Sequence, residues 1–180
     1  TPDEDINIAE EIRKKGVNPE DIKLIIYTHL HWDHAWNTEC FPNAEMVVQE
    51  AEMNSAIHPL KMGRKSYGFM PESGGPNWLR AIMQFHPVKG DTEIRPGIRV
   101  IQTPGHTTGS QGVLVDTAEG TYLLAGDWIM NQMNLELELP TGSTPDVAAW
   151  YETFEKVKKL SLAGVLACHD PKTYTREYYG

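Results

Sequence analysis

The hydrophobic positions of this chain change period several times, and each change marks an element. In "TPDEDINIAEEIRKKG", Ile6, Ala9 and Ile12 recur at helical spacing, acidic residues lead, basic ones trail and Gly16 can close the end. That pattern predicts an amphipathic helix. "KLIIYT" is a short apolar run with β-branched and aromatic content, which predicts a buried strand. "AEMVVQ" predicts another strand and "EAEMNSAI" a helix behind it. "IRVIQT", "QGVLVD" and "TYLLAG" predict three more strands, the last two joined through "TAEG" as a hairpin. "TPDVAAWYETFEKVKKL" predicts a helix with Thr144 as its cap ahead of Pro145, and "GVLAC" a final strand. Strands and helices that alternate in this way predict an α/β fold with helices on the sheet faces.

From Ile57 to Phe85 the pattern is irregular: Met62, Tyr67, Phe69, Met70, Trp78 and Met83 are interrupted by Pro59, Pro71 and "SGGP". Segment 57–85 is a candidate cap over a cleft, with Met and aromatic side chains suited to an acyl chain. Filling core between helices would use the same side chains equally well.

Composition narrows the function classes. A length of 180 residues suits one domain spanning 1–180. A net charge of −9 would repel a phosphate backbone, so nucleic acid is not an expected partner. No apolar run approaches the roughly 20 residues that span a bilayer, so no membrane partner is expected either. Cys40 and Cys168 are far apart and form no CxxC pattern, which fits a reducing, cytoplasmic setting. The first residue is Thr1 rather than Met, so the true N-terminus is not in view.

The chemistry gathers in "YTHLHWDHAWN". Three of the chain's 7 histidines and one aspartate fall between His29 and His34. Neutral imidazole and carboxylate are the donors that hold zinc or a similar divalent ion. His29 and His31 are two apart, so in extended backbone they face one side. Asp33 and His34 follow after the chain has begun to turn and should serve a second ion. Three further donors each come straight after a predicted strand: His106 in "TPGHTTGS", Asp127 in "AGDW" and His169 in "ACHD". A lone histidine or aspartate in such a turn is usually a surface residue or a cap. Jointly, these three complete two donor sets at strand ends, where α/β proteins place their sites.

"THLHWDH", "TPGHTTGS", "GDW" and "CHD", in that order, resemble the metallo-β-lactamase superfamily over nearly the whole chain. The resemblance implies a four-layer αβ/βα sandwich that this chain enters at the helix ahead of "THLHWDH", with N-terminal strands missing or supplied by another chain. It implies that His29, His31 and His106 bind one metal, that Asp33, His34 and His169 bind a second, and that Asp127 bridges them. Two divalent ions are expected, zinc first, with iron, manganese or cobalt as alternatives. Thr28, Thr107 and Ser110 are expected to support the ligands by hydrogen bonds. Cys168, next to His169 in a strand, is expected to face away and pack.

The resemblance also implies a dinuclear hydrolase, in which a hydroxide shared by the ions attacks a carbonyl and Asp33 carries a proton to the leaving group. Within the superfamily, "HLHWDHAWN" and "HDP" are similar to the N-acyl homoserine lactonase branch, so a small lactone or related ester is the expected substrate. That branch commonly places a tyrosine three residues after the bridging aspartate, where this chain has Met130. Other esters or thioesters are the first alternative. An iron-dependent persulfide dioxygenase is the second, and a metal-binding fragment without turnover the third. Trp32, Trp36 and Trp128 flank ligands and could wall the cleft or simply pack.

Overall fold

The computed structural model of the chain describes residues 7–71, 74–176 and 178–179. The first helix, α1, runs Ile8–Lys14. Asn7 caps it by accepting from the Ala9 N–H, Glu10 and Glu11 sit in its first turn, and Arg13 and Lys14 in its last. The start of the expected helix, including Ile6, lies outside the described residues.

Two sheets follow. The first is parallel and three-stranded, in the order β1 (Leu24–Ile26), β2 (Glu45–Gln49), β3 (Phe85–Val88). Helix α3, Glu50–Ile57, leaves β2 directly, as "EAEMNSAI" predicts. The second sheet has five strands, β4 (Thr92–Arg95), β5 (Ile98–Gln102), β6 (Gln111–Thr117), β7 (Gly120–Leu124) and β8 (Gly164–Leu166). Strands β4 to β7 pair antiparallel, and β8 returns parallel to β7 after the short helix α4, Gln132–Glu136, and the crossover helix α5, Val147–Val157. The hairpin at "TAEG" closes with Thr117 opposite Gly120, as expected.

Two strands were not legible in the pattern. β3 reads "FHPV", and a proline cannot donate to a ladder, which confines it to an edge. β3 is an edge strand, so Pro87 does no harm there. β4 is four residues of "TEIR", too short to show alternation. One cap is also corrected. Asp146, not Thr144, caps α5 by accepting from the Ala149 N–H. Thr144 Oγ1 is instead 3.0 Å from the Thr141 hydroxyl.

Each sheet has its own core. Leu30, Met46, Val48, Ala56 and Trp78 bury together in the first half, with Ile8 and Ile12 packed against them. Leu123, Trp128, Ile129, Trp150 and Phe154 do so in the second. A pair of fully buried amides ties the halves. Gln49 Nε2, at the end of β2, donates to Gln111 Oε1 at 2.8 Å, and Gln111 Nε2 donates to the Tyr27 carbonyl at 2.7 Å. The Gln111 N–H donates to the Thr28 carbonyl at 2.9 Å, which fixes the chain just ahead of His29. Among the described residues no helix is long and apolar enough to cross a membrane.

Candidate metal centre

The seven candidate donors come from four loops, each leaving the end of a strand. After β1 the chain bends at Thr28, and His31 is extended (φ −63°, ψ 153°) just before the chain turns into the short helix α2, Trp32–Ala35. His29 and His31, two apart, lie with their ring centroids 4.6 Å apart, and the helix carries Asp33 and His34 onward. His106 follows β5 in a tight loop closed by the Thr103 N–H donating to the Ser110 carbonyl at 2.8 Å. Asp127 lies in the single turn Gly126–Trp128 after β7. Gly126 has φ +57°, and a Cβ there would sit 2.6 Å from Thr28 Cβ, so only glycine lets these two loops approach. His169 follows β8 and is held by its N–H donating to the Met130 carbonyl at 2.9 Å.

These loops bring the donors into two groups, His29 with His31 and His106, and Asp33 with His34, Asp127 and His169. Within each group the ligand atoms lie within 4.8 Å of one another. Asp127 stands between them. Its Oδ1 is 3.0 Å from His34 Nε2 and 3.2 Å from His169 Nε2. Its Oδ2 is 3.3 Å from His106 Nε2 and 3.9 Å from His29 Nε2. One carboxylate thus offers a different oxygen to each group. Asp33 Oδ2 lies 3.5 Å from His34 and 3.6 Å from His169, on the more open side.

The electrostatics suit cation binding. Burial, reinforced by neighbouring imidazoles, keeps His29 well below the usual histidine range and His31 down at about 4. Burial also lowers His106. These rings are neutral, with lone pairs available. The Ser143 carbonyl, 2.9 Å from His106 Nδ1, accepts a hydrogen bond from the N–H there and leaves Nε2 facing the group as an acceptor. Burial opposes the charged form of Asp127, but His34 and His29 outweigh it and hold the carboxyl far below its ordinary range. His34 is likewise opposed by burial, yet Asp127 and Asp33 push it up to about 9.

His29 Nε2 and His34 Nε2 are buried and make no aligned hydrogen bond among the described residues, despite the short His34–Asp127 separation. For His29 Nε2, 3.9 Å from the Asp127 carboxylate, that costs about 1–3 kcal/mol. Divalent cations at the two groups would satisfy both nitrogens, so the residues present fit a pair of metal ions.

Of the expectations about the surroundings, those for Thr107, Ser110 and Cys168 need adjusting. Thr28 does contact a candidate donor as expected, its Oγ1 lying 3.2 Å from His29 Nδ1. The Thr107 and Ser110 hydroxyls bond each other, and that of Thr107 donates to the carboxylate of Glu52 rather than to a candidate donor. Trp128 is fully buried in the second core, whereas Trp32 lines the cleft. Cys168 does not face away: its Sγ donates to Asp127 Oδ1 at 2.9 Å. Strand β8 ends at Leu166, so the alternation of sides no longer applies two residues later.

Glu52 was missed altogether. It is 0 % exposed and shares the buried face of α3 with Met53 and Ala56, a helical spacing that "EAEMNSAI" already carries.

A cleft of about 730 Å³ opens onto both groups, through His31 and His106 on one and Asp33 and Asp127 on the other. Its size is within the range of small-molecule sites. Leu60 and Met62 from segment 57–85 line it. Other parts of that segment do not, since Trp78 is buried in the first core. The Trp32 N–H donates to the Ser66 carbonyl at 2.7 Å, tying the segment to α2.

Residues 1–169 match the family described as the metallo-beta-lactamase superfamily. An N-acyl homoserine lactonase from a Bacillus species is 35 % identical over 138 residues, 76 % of this chain and 50 % of the relative. One from Bacillus thuringiensis is 33 % identical over 147 residues, 81 % and 54 % of the respective lengths. The chain spans about half the length of these curated relatives. Among solved structures, B. thuringiensis AiiA with N-decanoyl-L-homoserine bound at the active site superposes with a TM-score of 0.73 at 28 % identity, over 92 % of this chain and 63 % of that one. A probable metal-dependent hydrolase from Staphylococcus aureus shares the fold at 20 % identity, with a TM-score of 0.77 over 93 % and 62 % of the two chains. With its fold, its ordered motifs and a family match running from the first residue to His169, the chain belongs to the metallo-beta-lactamase superfamily.

Proposed function

We propose that this chain carries the metal centre of a dinuclear hydrolase that opens a lactone or cleaves a closely related ester. The observation that carries the reading is Asp127, which turns one oxygen to each of two donor groups. His29, His31 and His106 would hold one divalent ion, and Asp33, His34 and His169 the second, with Asp127 shared. All are nitrogen or oxygen donors, which suits zinc. When bound, such ions supply Lewis acidity, polarising a carbonyl and making water nucleophilic near neutral pH.

The chain's own residues then have distinct tasks. The deeply buried first group is rigidly packed, His29 being 0 % exposed. The second group is more open, with Asp33 and His169 side chains 34 % and 41 % exposed. Asp33 is the carboxylate at that opening, where it can take a proton from attacking water and return it to the leaving alkoxide oxygen. Burial works against its charge, but the adjacent His34 keeps it below the ordinary carboxyl range, so it is ionised and ready to accept. Met130, where the lactonase branch commonly has tyrosine, offers no hydroxyl to the carbonyl oxygen. Leu60 and Met62 give the cleft an apolar wall that an acyl chain would cover. That the curated relatives are named N-acyl homoserine lactonases supports this substrate class.

The test is a screen of zinc-loaded protein against acyl lactones, thioesters and phosphodiesters, with the metal-stripped protein as control. Lactone opening that vanishes on chelation is expected. A protein that binds two ions and turns over none of the panel would sink the hydrolase reading.

A further inference from the structure

We infer that Glu52 is a positioning residue for the first donor group, joining the loop of His29 and His31 to the loop of His106 and so setting that group's affinity for a cation it does not touch. The inference rests on the proposed metal-binding reading.

Its carboxylate is a junction of three chain segments. Oε1 accepts from the Leu30 N–H at 3.0 Å and from the Tyr67 hydroxyl at 3.1 Å. Oε2 accepts from the Thr107 hydroxyl at 2.6 Å. Leu30 is the residue between His29 and His31, and Thr107 directly follows His106. The third partner, Tyr67, sets its ring edge-on against His31, centroids 4.8 Å apart and planes at 70°. Every ligand of the first group is therefore next to, or packed on, a partner of Glu52.

The same carboxylate reaches no donor of the second group through the bonds the structure shows. There the corresponding contact is Cys168 on Asp127. The two groups thus have separate supports, and removing one should leave the other.

Packing enforces the junction. A Cβ on Gly109 would lie 2.0 Å from the Glu52 backbone nitrogen, so the His106 loop is pressed directly onto the first turn of α3. The Thr107 hydroxyl, spent as a donor to Glu52, accepts in turn from Ser110 Oγ at 2.6 Å. Stability alone does not explain an acid here. A buried carboxylate held by neutral donors is costly to desolvate, and apolar residues of similar volume often serve a core as well or better. What an apolar residue could not do is hold two loops in fixed register at once.

The experiment compares wild type with Glu52→Gln, Glu52→Ala and Thr107→Val, all stripped of metal. Each is titrated with Zn²⁺ or Co²⁺ against a competing chelator, and the metal-free melting temperature is recorded. Wild type is expected to bind two ions. In Glu52→Ala one step should weaken about 10- to 100-fold, the range for losing a group that orients a ligand. It should be the step that His106→Ala also loses, and the other step should change less than threefold. Glu52→Gln keeps an acceptor for Leu30 and Tyr67 and should lose less than tenfold in that step. Thr107→Val should weaken the same step without touching the carboxylate, and it carries the test together with Glu52→Gln if the alanine variant does not fold.

Two unchanged steps in the folded variants would overturn the inference. So would equal weakening of both steps with a lowered melting temperature, the signature of a plain structural role. If wild type itself binds no ion, the metal-binding reading fails and takes this inference with it. Normal wild-type binding with unmoved variants sinks this inference alone.

Discussion

The sulfur of Cys168 lies 2.9 Å from Oδ1 of Asp127, the oxygen that also faces His34 and His169. Burial and the adjacent carboxylate both push this thiol up, so it stays protonated and acts as a donor. A hydrogen bond to a charged acceptor contributes about 1.5–3 kcal/mol. Cys168→Ala should therefore weaken the second metal step by about tenfold, while Cys168→Ser, which keeps a donor, should stay within a few-fold of wild type. Chelator competition reads both. Equal behaviour of the two variants would mean that the thiol does not steady Asp127.

Asp127 and His31 should be far more sensitive. On the proposed reading, removing Asp127 takes away the oxygen that faces each group, and removing His31 takes one of the first group's three histidines. Loss of cation assistance is a matter of several kcal/mol, so Asp127→Ala and His31→Ala should each lower hydrolysis by about 10³-fold or more. Metal analysis of the purified variants separates the cases. His31→Ala should keep one ion of two, whereas Asp127→Ala should hold neither tightly.

Much of this centre can be read from residue order alone, because its donors sit where strands end. Period-two spacing puts His29 beside His31, and the turn into α2 sends Asp33 and His34 to the other group. Those are local effects, and local pattern shows them. What stayed hidden depends on contacts across the chain. Glu52 looks like any acidic residue of an amphipathic helix until Thr107, 55 positions later, is folded against it. Cys168 was misjudged because the strand that would have turned it away stops at Leu166. β3 was hidden by Pro87, harmless only because β2 covers one side of it alone.

Two glycines make the loops fit. Gly126 needs φ +57° and has no room for a Cβ beside Thr28, and Gly109 abuts the backbone of Glu52. Alanine at either must move backbone. Each substitution should cost about 2–4 kcal/mol, in the upper range for single changes. Gly109→Ala should in addition weaken the first metal step, because its loop carries His106. Urea denaturation of the metal-free proteins measures the first effect and metal titration the second.

Met62 is 87 % exposed and lines the cleft. If this wall takes an acyl chain, Met62→Glu should raise KM for long-chain lactones about 10-fold or more, since burying a few methylenes contributes about 0.8 kcal/mol each. Short-chain KM and kcat should hardly change. An equal rise for both chain lengths would place the acyl group elsewhere.

The Gln49–Gln111 pair offers a test of how the two halves are joined. Both amides are fully buried. Gln49 Nε2 donates to Gln111 Oε1 and to the Gly90 carbonyl, and its Oε1 accepts from the Gly90 N–H at 2.9 Å. Replacing Gln111 by leucine strands an N–H of Gln49 and the Tyr27 carbonyl without partners. Leaving buried groups unsatisfied costs about 1–3 kcal/mol each, so Gln111→Leu should destabilise by about 2–4 kcal/mol. Gln49→Leu should cost a similar amount. The double variant should cost less than the sum, by about 1 kcal/mol or more, since each change removes the other's stranded partner. Urea midpoints of metal-free protein measure this, because a bound ion would mask losses by stabilising the native state. Strict additivity would show that the amides act separately and that the sheets are held together by other contacts.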